Sequence, residues 1–127
     1  PYFLTVPVGG RLIGVVHAEM PELKAWSDLL TQPFQAEWVR PMTWGREVWR
    51  SWRQQAEHEP WVEGLDAVVV GHTPVRSPQI WGNYLFLDTG AWRKQGQFVL
   101  ARADEVLAWV DGRGEPPGPV RPAASER

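Results

Sequence analysis

An α/β or α+β fold with a layered sheet core is predicted by three observations. Short apolar runs of strand type dominate the chain, two stretches place apolar residues at helical spacing, and turn signals rich in Gly and Pro separate them. With 127 residues and 43% apolar content, the chain has the size of one domain and enough apolar material to bury a core.

Residues 2–8 and 11–16 read as strands joined by Gly9 and Gly10, a hairpin signal, and the second strand, "RLIGVV", delivers His17 at its end. A short helix is expected from Pro21 to about Leu30, followed by an irregular connection imposed by Pro33 and Pro41. Thr43 is a candidate N-cap for a helix over 44–59, in which Trp44, Val48, Trp49 and Trp52 share a face before Pro60 ends it. Ala67 to Val70 is small or apolar at every position, the pattern of a strand buried on both sides. The stretch "IWGNYLFLDTGAW" predicts two short strands around the turn pair Gly82 and Asn83. Two further strands are expected in "GQFVLARADEVLAWV", residues 96–110. From Asp111 the chain is Pro, Gly and charge, so 111–127 is expected to be a disordered tail after a folded unit over 1–110.

Thirteen basic against fifteen acidic residues give a net charge of -2 without any block of like charge. That balance disfavours nucleic acid or a membrane surface as a partner bound by bulk electrostatics. The chain has no cysteine, which excludes disulfides and thiolate metal sites and leaves His, Asp, Glu and Asn to hold any metal. This composition suits a reducing cytoplasm, the expected location, and no apolar run reaches the roughly 20 residues that span a bilayer.

Two histidines share a context. His17 and His72 each follow an apolar strand and precede a small residue and a turn, where an imidazole can reach a site at the sheet edge. A neutral imidazole is the commonest metal ligand near pH 7; the alternative for each is a rim histidine satisfied by hydrogen bonds. Their motifs, "VVHAEMP", "WGRE" from Trp44, "VVVGHTPV" and "LFLDTGAW", occur in that order. Together they resemble the second half of the calcineurin-like metallophosphoesterases, in the bacterial and phage branch of the serine/threonine protein phosphatases. That branch also holds relatives of the symmetrical diadenosine tetraphosphate hydrolases.

The resemblance covers residues 1 to about 110 and implies the C-terminal half of a layered metallophosphoesterase β-sandwich flanked by helices. It implies that His17 and His72 ligate one metal of a dinuclear centre and that Arg46 lies against the substrate phosphate, where a planar guanidinium pairs two oxygens better than an ammonium does. It also implies that Asp88 orients a ligand histidine from behind, although an Asx-turn at a strand end accounts for that residue equally. Pro74 stands where many other metallophosphoesterases place a second histidine, as it does in the protein-phosphatase branch. The upstream family motifs Gly-Asp-x-His, Gly-Asp-x-x-Asp and Gly-Asn-His-Glu are absent, and the sequence opens at full strand strength from Pro1. The expectation is therefore the C-terminal half of a longer enzyme, incomplete as a stand-alone domain, with open sheet edges.

The activity implied is metal-dependent hydrolysis of phosphate esters, of the serine/threonine phosphoprotein type, by two divalent ions (Mn, Fe or Zn) acting on a phosphorylated substrate. Two alternatives stand beside it: hydrolysis of symmetrical dinucleotide polyphosphates, and a non-catalytic, aromatic-rich interaction module derived from the same fold. Nine tryptophans bear on this choice, five of which (Trp26, Trp38, Trp44, Trp49 and Trp52) fall between His17 and Pro60. They read either as a platform for a base or sugar or as packing of a helix on the sheet, and Trp44 beside Arg46 is the candidate for both uses. His58, between glutamates, reads as a surface residue, and Glu19 is near His17 without an assigned role.

Overall fold

The computed structural model describes residues 1–120. Five strands form one mixed sheet in the order β1-β2-β3-β5-β4. The strands are β1 (Phe3–Val8), β2 (Arg11–Val16), β3 (Ala67–Val70), β4 (Gln79–Trp81) and β5 (Tyr84–Phe86). β1 and β2 are the antiparallel hairpin that Gly9 and Gly10 predict, both glycines having positive φ. β2, β3 and β5 are parallel neighbours, with Val16 opposite Val70 and Val70 opposite Phe86, and β4 returns antiparallel to β5.

Helices cover both faces, so the class is α/β. On one face Val16, Val68, Val70, Tyr84 and Phe86 pack with Trp26, Leu29, Trp38 and Met42 from the crossover between β2 and β3. On the other, Ile13, Ala67 and Leu85 pack with Val106 and Leu107. β3 is apolar throughout because alternate side chains enter two different cores. Trp26 lies against β2 at Gly14, where a Cβ would come within 2.9 Å of the indole ring, and its Nε1 donates to Thr5 Oγ1 at 2.8 Å. The glycine in that strand is thus a seat for the largest side chain of the core.

Several elements differ from the sequence expectation. The first helix, α1, is Trp26–Thr31 rather than starting at Pro21, because Ala25 bridges to Glu63 and its N–H is held by Asp28. The connection expected to be irregular carries a short 3-10 turn, Ala36–Trp38, and helix α2, Val39–Trp44, with Pro41 tolerated in the first turn where its missing N–H is not needed. The long helix expected over 44–59 is α3, Glu47–Arg53, and Thr43 does not cap it: its hydroxyl donates back to Val39 O at 2.6 Å inside α2. Residues 103–110 form helix α4 instead of a strand. Ala103, Val106, Leu107 and Val110 are spaced i, i+3, i+4 and i+7, and Glu105 closes the first turn by accepting the Arg102 N–H at 3.0 Å. Val99, expected in the other strand of this region, makes an isolated bridge to Pro119.

Of the stretch expected to be a disordered tail, Asp111 to Val120 is tied to the fold. Asp111 accepts two hydrogen bonds from Arg11, at 2.6 and 2.8 Å, and Pro117 is buried. Residues 121–127 lie outside the described residues. No helix among the described residues is long and apolar enough to cross a membrane.

Candidate functional site

Parallel strands end together, so the loops that follow them meet at one edge. His17 follows Val16 on β2, Gly71 and His72 follow Val70 on β3, and Leu87 and Asp88 follow Phe86 on β5. The first two loops are stitched by a hydrogen bond from Gly71 N–H to His17 O at 2.9 Å. The imidazoles of His17 and His72 lie 5.1 Å apart, centroid to centroid, at 52°. An open cleft of about 470 Å³ has His17, His72 and Asp88 in its wall. A separate cleft of about 760 Å³ lies between Glu19, Trp38 and Trp61 and includes neither histidine.

The backbone at His72 is unusual. Its φ is +65°, a left-handed value that a β-substituted residue avoids, and Thr73 N–H donates across it to Gly71 O at 2.7 Å. This is a γ-turn of the rare, strained hand. Such conformations cost on the order of 1–3 kcal/mol and persist where their surroundings enforce them. Here Thr73 and Val75 are buried on one side of the turn, and Val75 N–H is held by Asp88 O at 2.8 Å.

The His72 ring is equally unsatisfied. Its Nε2 is buried and, among the described residues, has no hydrogen-bond partner. Burial first, then the positive charge of Arg46 and the neighbouring His17, hold its pKa below the usual histidine value, with Asp88 opposing. The shift favours the neutral imidazole, the form that can act as a ligand. A buried nitrogen without a hydrogen-bond partner is open to a ligand, and the second imidazole stands 5.1 Å away between ring centroids. The donor pair fits one divalent ion. Among the described residues no group of three or more His, Cys, Asp or Glu side chains comes together, so the pair is a partial ligand set.

Arg46 sits in the turn between α2 and α3, as the residue before Glu47. Its side chain is exposed and, among the described residues, joins no salt bridge, which leaves the guanidinium fork free for an anion. Trp44 does not share the face of Trp49 and Trp52. Those two rings pack against Phe86, at 5.9 and 6.3 Å, whereas Trp44 is 70% exposed and stands edge-to-face with His72 at 5.1 Å. Asp88 makes the Asx-turn, its Oδ1 accepting Gly90 N–H at 2.8 Å, while Oδ2 faces Gly71. It acts on His72 through charge, and among the described residues it makes no side-chain hydrogen bond to either histidine.

Glu19, near His17 and without an assigned role, is 5% exposed. Its carboxylate accepts the Val48 N–H at 3.0 Å, while burial pushes its pKa up against that bond. The available signal was an acidic residue set among Ala18, Met20 and Pro21, a context in which a charge is buried only with partners in place. No protein-family model matches the sequence, and no curated protein matches it.

Proposed function

We propose that this chain contributes half of a dinuclear, metal-dependent phosphoesterase site, of the calcineurin-like type, that hydrolyses phosphate esters such as serine/threonine phosphoproteins. The observation that carries the reading is the buried, unpartnered Nε2 of His72, on a strained turn, 5.1 Å in ring separation from His17. His17 and His72 would hold one ion, and the remaining ligands would come from an upstream segment with the family's Asp, Asn and His motifs. Bound divalent ions supply Lewis acidity toward phosphoryl oxygens and lower the pKa of water.

The rest of the work belongs to this chain's residues. The sheet holds the two imidazoles at a fixed separation, which removes the reorganisation that flexible ligands would require. Arg46 presents paired donors to two phosphoryl oxygens and offsets their charge as it builds. Desolvation and the Arg46 charge lower the His72 pKa, which reduces competition from a proton for the ligand nitrogen.

A second reading, hydrolysis of dinucleotide polyphosphates, is favoured by Trp44. An exposed indole beside His72 offers a face on which a nucleobase can stack.

The test is metal content and turnover of the intact protein with p-nitrophenyl phosphate. His72→Ala is expected to lose one of two ions and to lower turnover by more than ~100-fold, because even partners of metal ligands are worth about 10- to 100-fold. Two ions retained per chain in that variant would refute the assignment.

A further inference from the structure

The loop after β2 and the turn before α3 come from different parts of the chain, yet they are joined at one buried side chain. Glu19 accepts the N–H of Val48, two residues after Arg46, at 3.0 Å. Gly45, which precedes Arg46, has an extended backbone with φ -60° and ψ 143°, so conformation alone does not demand glycine there. Space does: a Cβ at Gly45 would overlap the Glu19 carboxylate. Carboxylate and turn therefore interlock from both sides of Arg46. The far end of the loop is fixed as well. Ala18 N–H donates to Met42 O at 2.9 Å, and Met20 N–H donates to the buried Tyr84 hydroxyl at 3.2 Å.

We infer that Glu19 is a positioning residue, whose buried carboxylate clamps the Gly45-Arg46 turn to the His17 loop and so sets where the Arg46 guanidinium stands relative to the histidine pair. The inference rests on the phosphoesterase reading for what Arg46 binds. It accounts for three features at once: a carboxylate kept in the interior, a glycine without a positive φ, and a helix α3 whose Val48 N–H is satisfied from outside the helix rather than by its own cap. A backbone N–H donated to a buried carboxylate, with Gly45 packed against the same group, gives a directional clamp, which suits a task of placement.

The test measures inorganic phosphate binding and Mn²⁺ binding separately, by calorimetry on the intact Mn²⁺-loaded protein. Arg46→Ala is the reference for loss of the phosphate contact. Glu19→Ala is expected to weaken phosphate binding ~10- to 100-fold, the scale on which small misplacements of a binding group register, with Mn²⁺ affinity unchanged. Gly45→Ala is expected to do the same. Glu19→Gln, which keeps an oxygen for the Val48 N–H, should recover most of the loss, and the Glu19→Ala, Arg46→Ala double variant should bind phosphate no worse than Arg46→Ala alone.

Losses that add in the double variant would overturn the inference, because Glu19 would then act independently of Arg46. Parallel loss of Mn²⁺ and phosphate binding in Glu19→Ala would also overturn it, since a general loosening predicts that pattern. Should Glu19→Ala fail to fold, Gly45→Ala and Glu19→Gln decide by the same criteria. If Arg46→Ala binds phosphate as well as the wild type does, the phosphoesterase reading fails and takes this inference with it; if only the Arg46 variant loses phosphate, that reading stands and the inference fails.

Discussion

The two ends of the parallel strands are built on opposite principles. At the N-terminal end, Asn83 is fully buried with its side chain saturated: Oδ1 accepts Val62 N–H at 2.9 Å, and Nδ2 donates to Val62 O at 2.9 Å and Leu65 O at 3.3 Å. Arg11 joins the same end to Asp66 and Asp111. At the C-terminal end, His72 holds a left-handed backbone and a buried nitrogen with no partner, and Arg46 reaches out unpaired among the described residues. Polar groups at one end are used up in folding, and at the other they are kept available. The difference separates a stabilising edge from a binding edge within one sheet.

The comparison breaks most visibly if Asn83 proves dispensable. Asn83→Ala strips partners from Val62 N–H, Val62 O and Leu65 O, each worth roughly 1–3 kcal/mol when left unsatisfied. A loss of roughly 3–4 kcal/mol is expected in urea unfolding. A change below ~1 kcal/mol would mean that this end is not the anchor.

At the opposite end the sign should reverse. His72→Gly relieves the positive φ and removes the orphaned nitrogen, so stability is expected to rise by about 1 kcal/mol while metal binding is lost. A destabilised His72→Gly protein would show that the histidine serves the fold.

The smallest effect concerns pH. The Leu12 N–H and Arg11 hold the Asp66 carboxyl below the ordinary carboxylate range, and Arg11 with Arg113 does the same to Asp111. A depressed carboxylate contributes stability that is whole above about pH 4 and is lost as pH falls through its folded value. Arg11→Met should therefore lower the thermal midpoint at pH 7 and cause a smaller loss at pH 3. An equal gap at both values would show that packing, not charge, is what Arg11 provides.

Local signals were enough for part of this. Gly9-Gly10 announced the first hairpin, the apolar run at Ala67 to Val70 announced the buried strand, and the position of His17 and His72 at strand ends was readable without knowing that the strands are neighbours. What could not be read depends on partners distant in sequence. The break between α2 and α3 at Gly45 exists because Glu19 occupies the space beside it. Asn83, legible as a turn residue, owes its larger role to Val62 and Leu65. In α4, the i, i+3, i+4, i+7 pattern was short enough to pass for alternation, and only packing against Ile13 and Leu85 selects the helix. Trp44 was grouped with Trp49 and Trp52 because a continuous helix was assumed; the turn at Gly45 sends it to the other side.

The ladder between β2 and β3 acts as a ruler. Because Val16 faces Val70 and the His17 carbonyl accepts the Gly71 N–H, the spacing of the two histidines is set without reference to the chain that connects them. The crossover's Trp26, Leu29, Trp38 and Met42 build the core, so the exchangeable part is the turn that carries Trp44 and Arg46. Grafting a different turn between Met42 and Val48 would leave the imidazole pair in place and change only what stands over it, which makes this sheet a fixed centre on which new selectivities can be built by segment replacement.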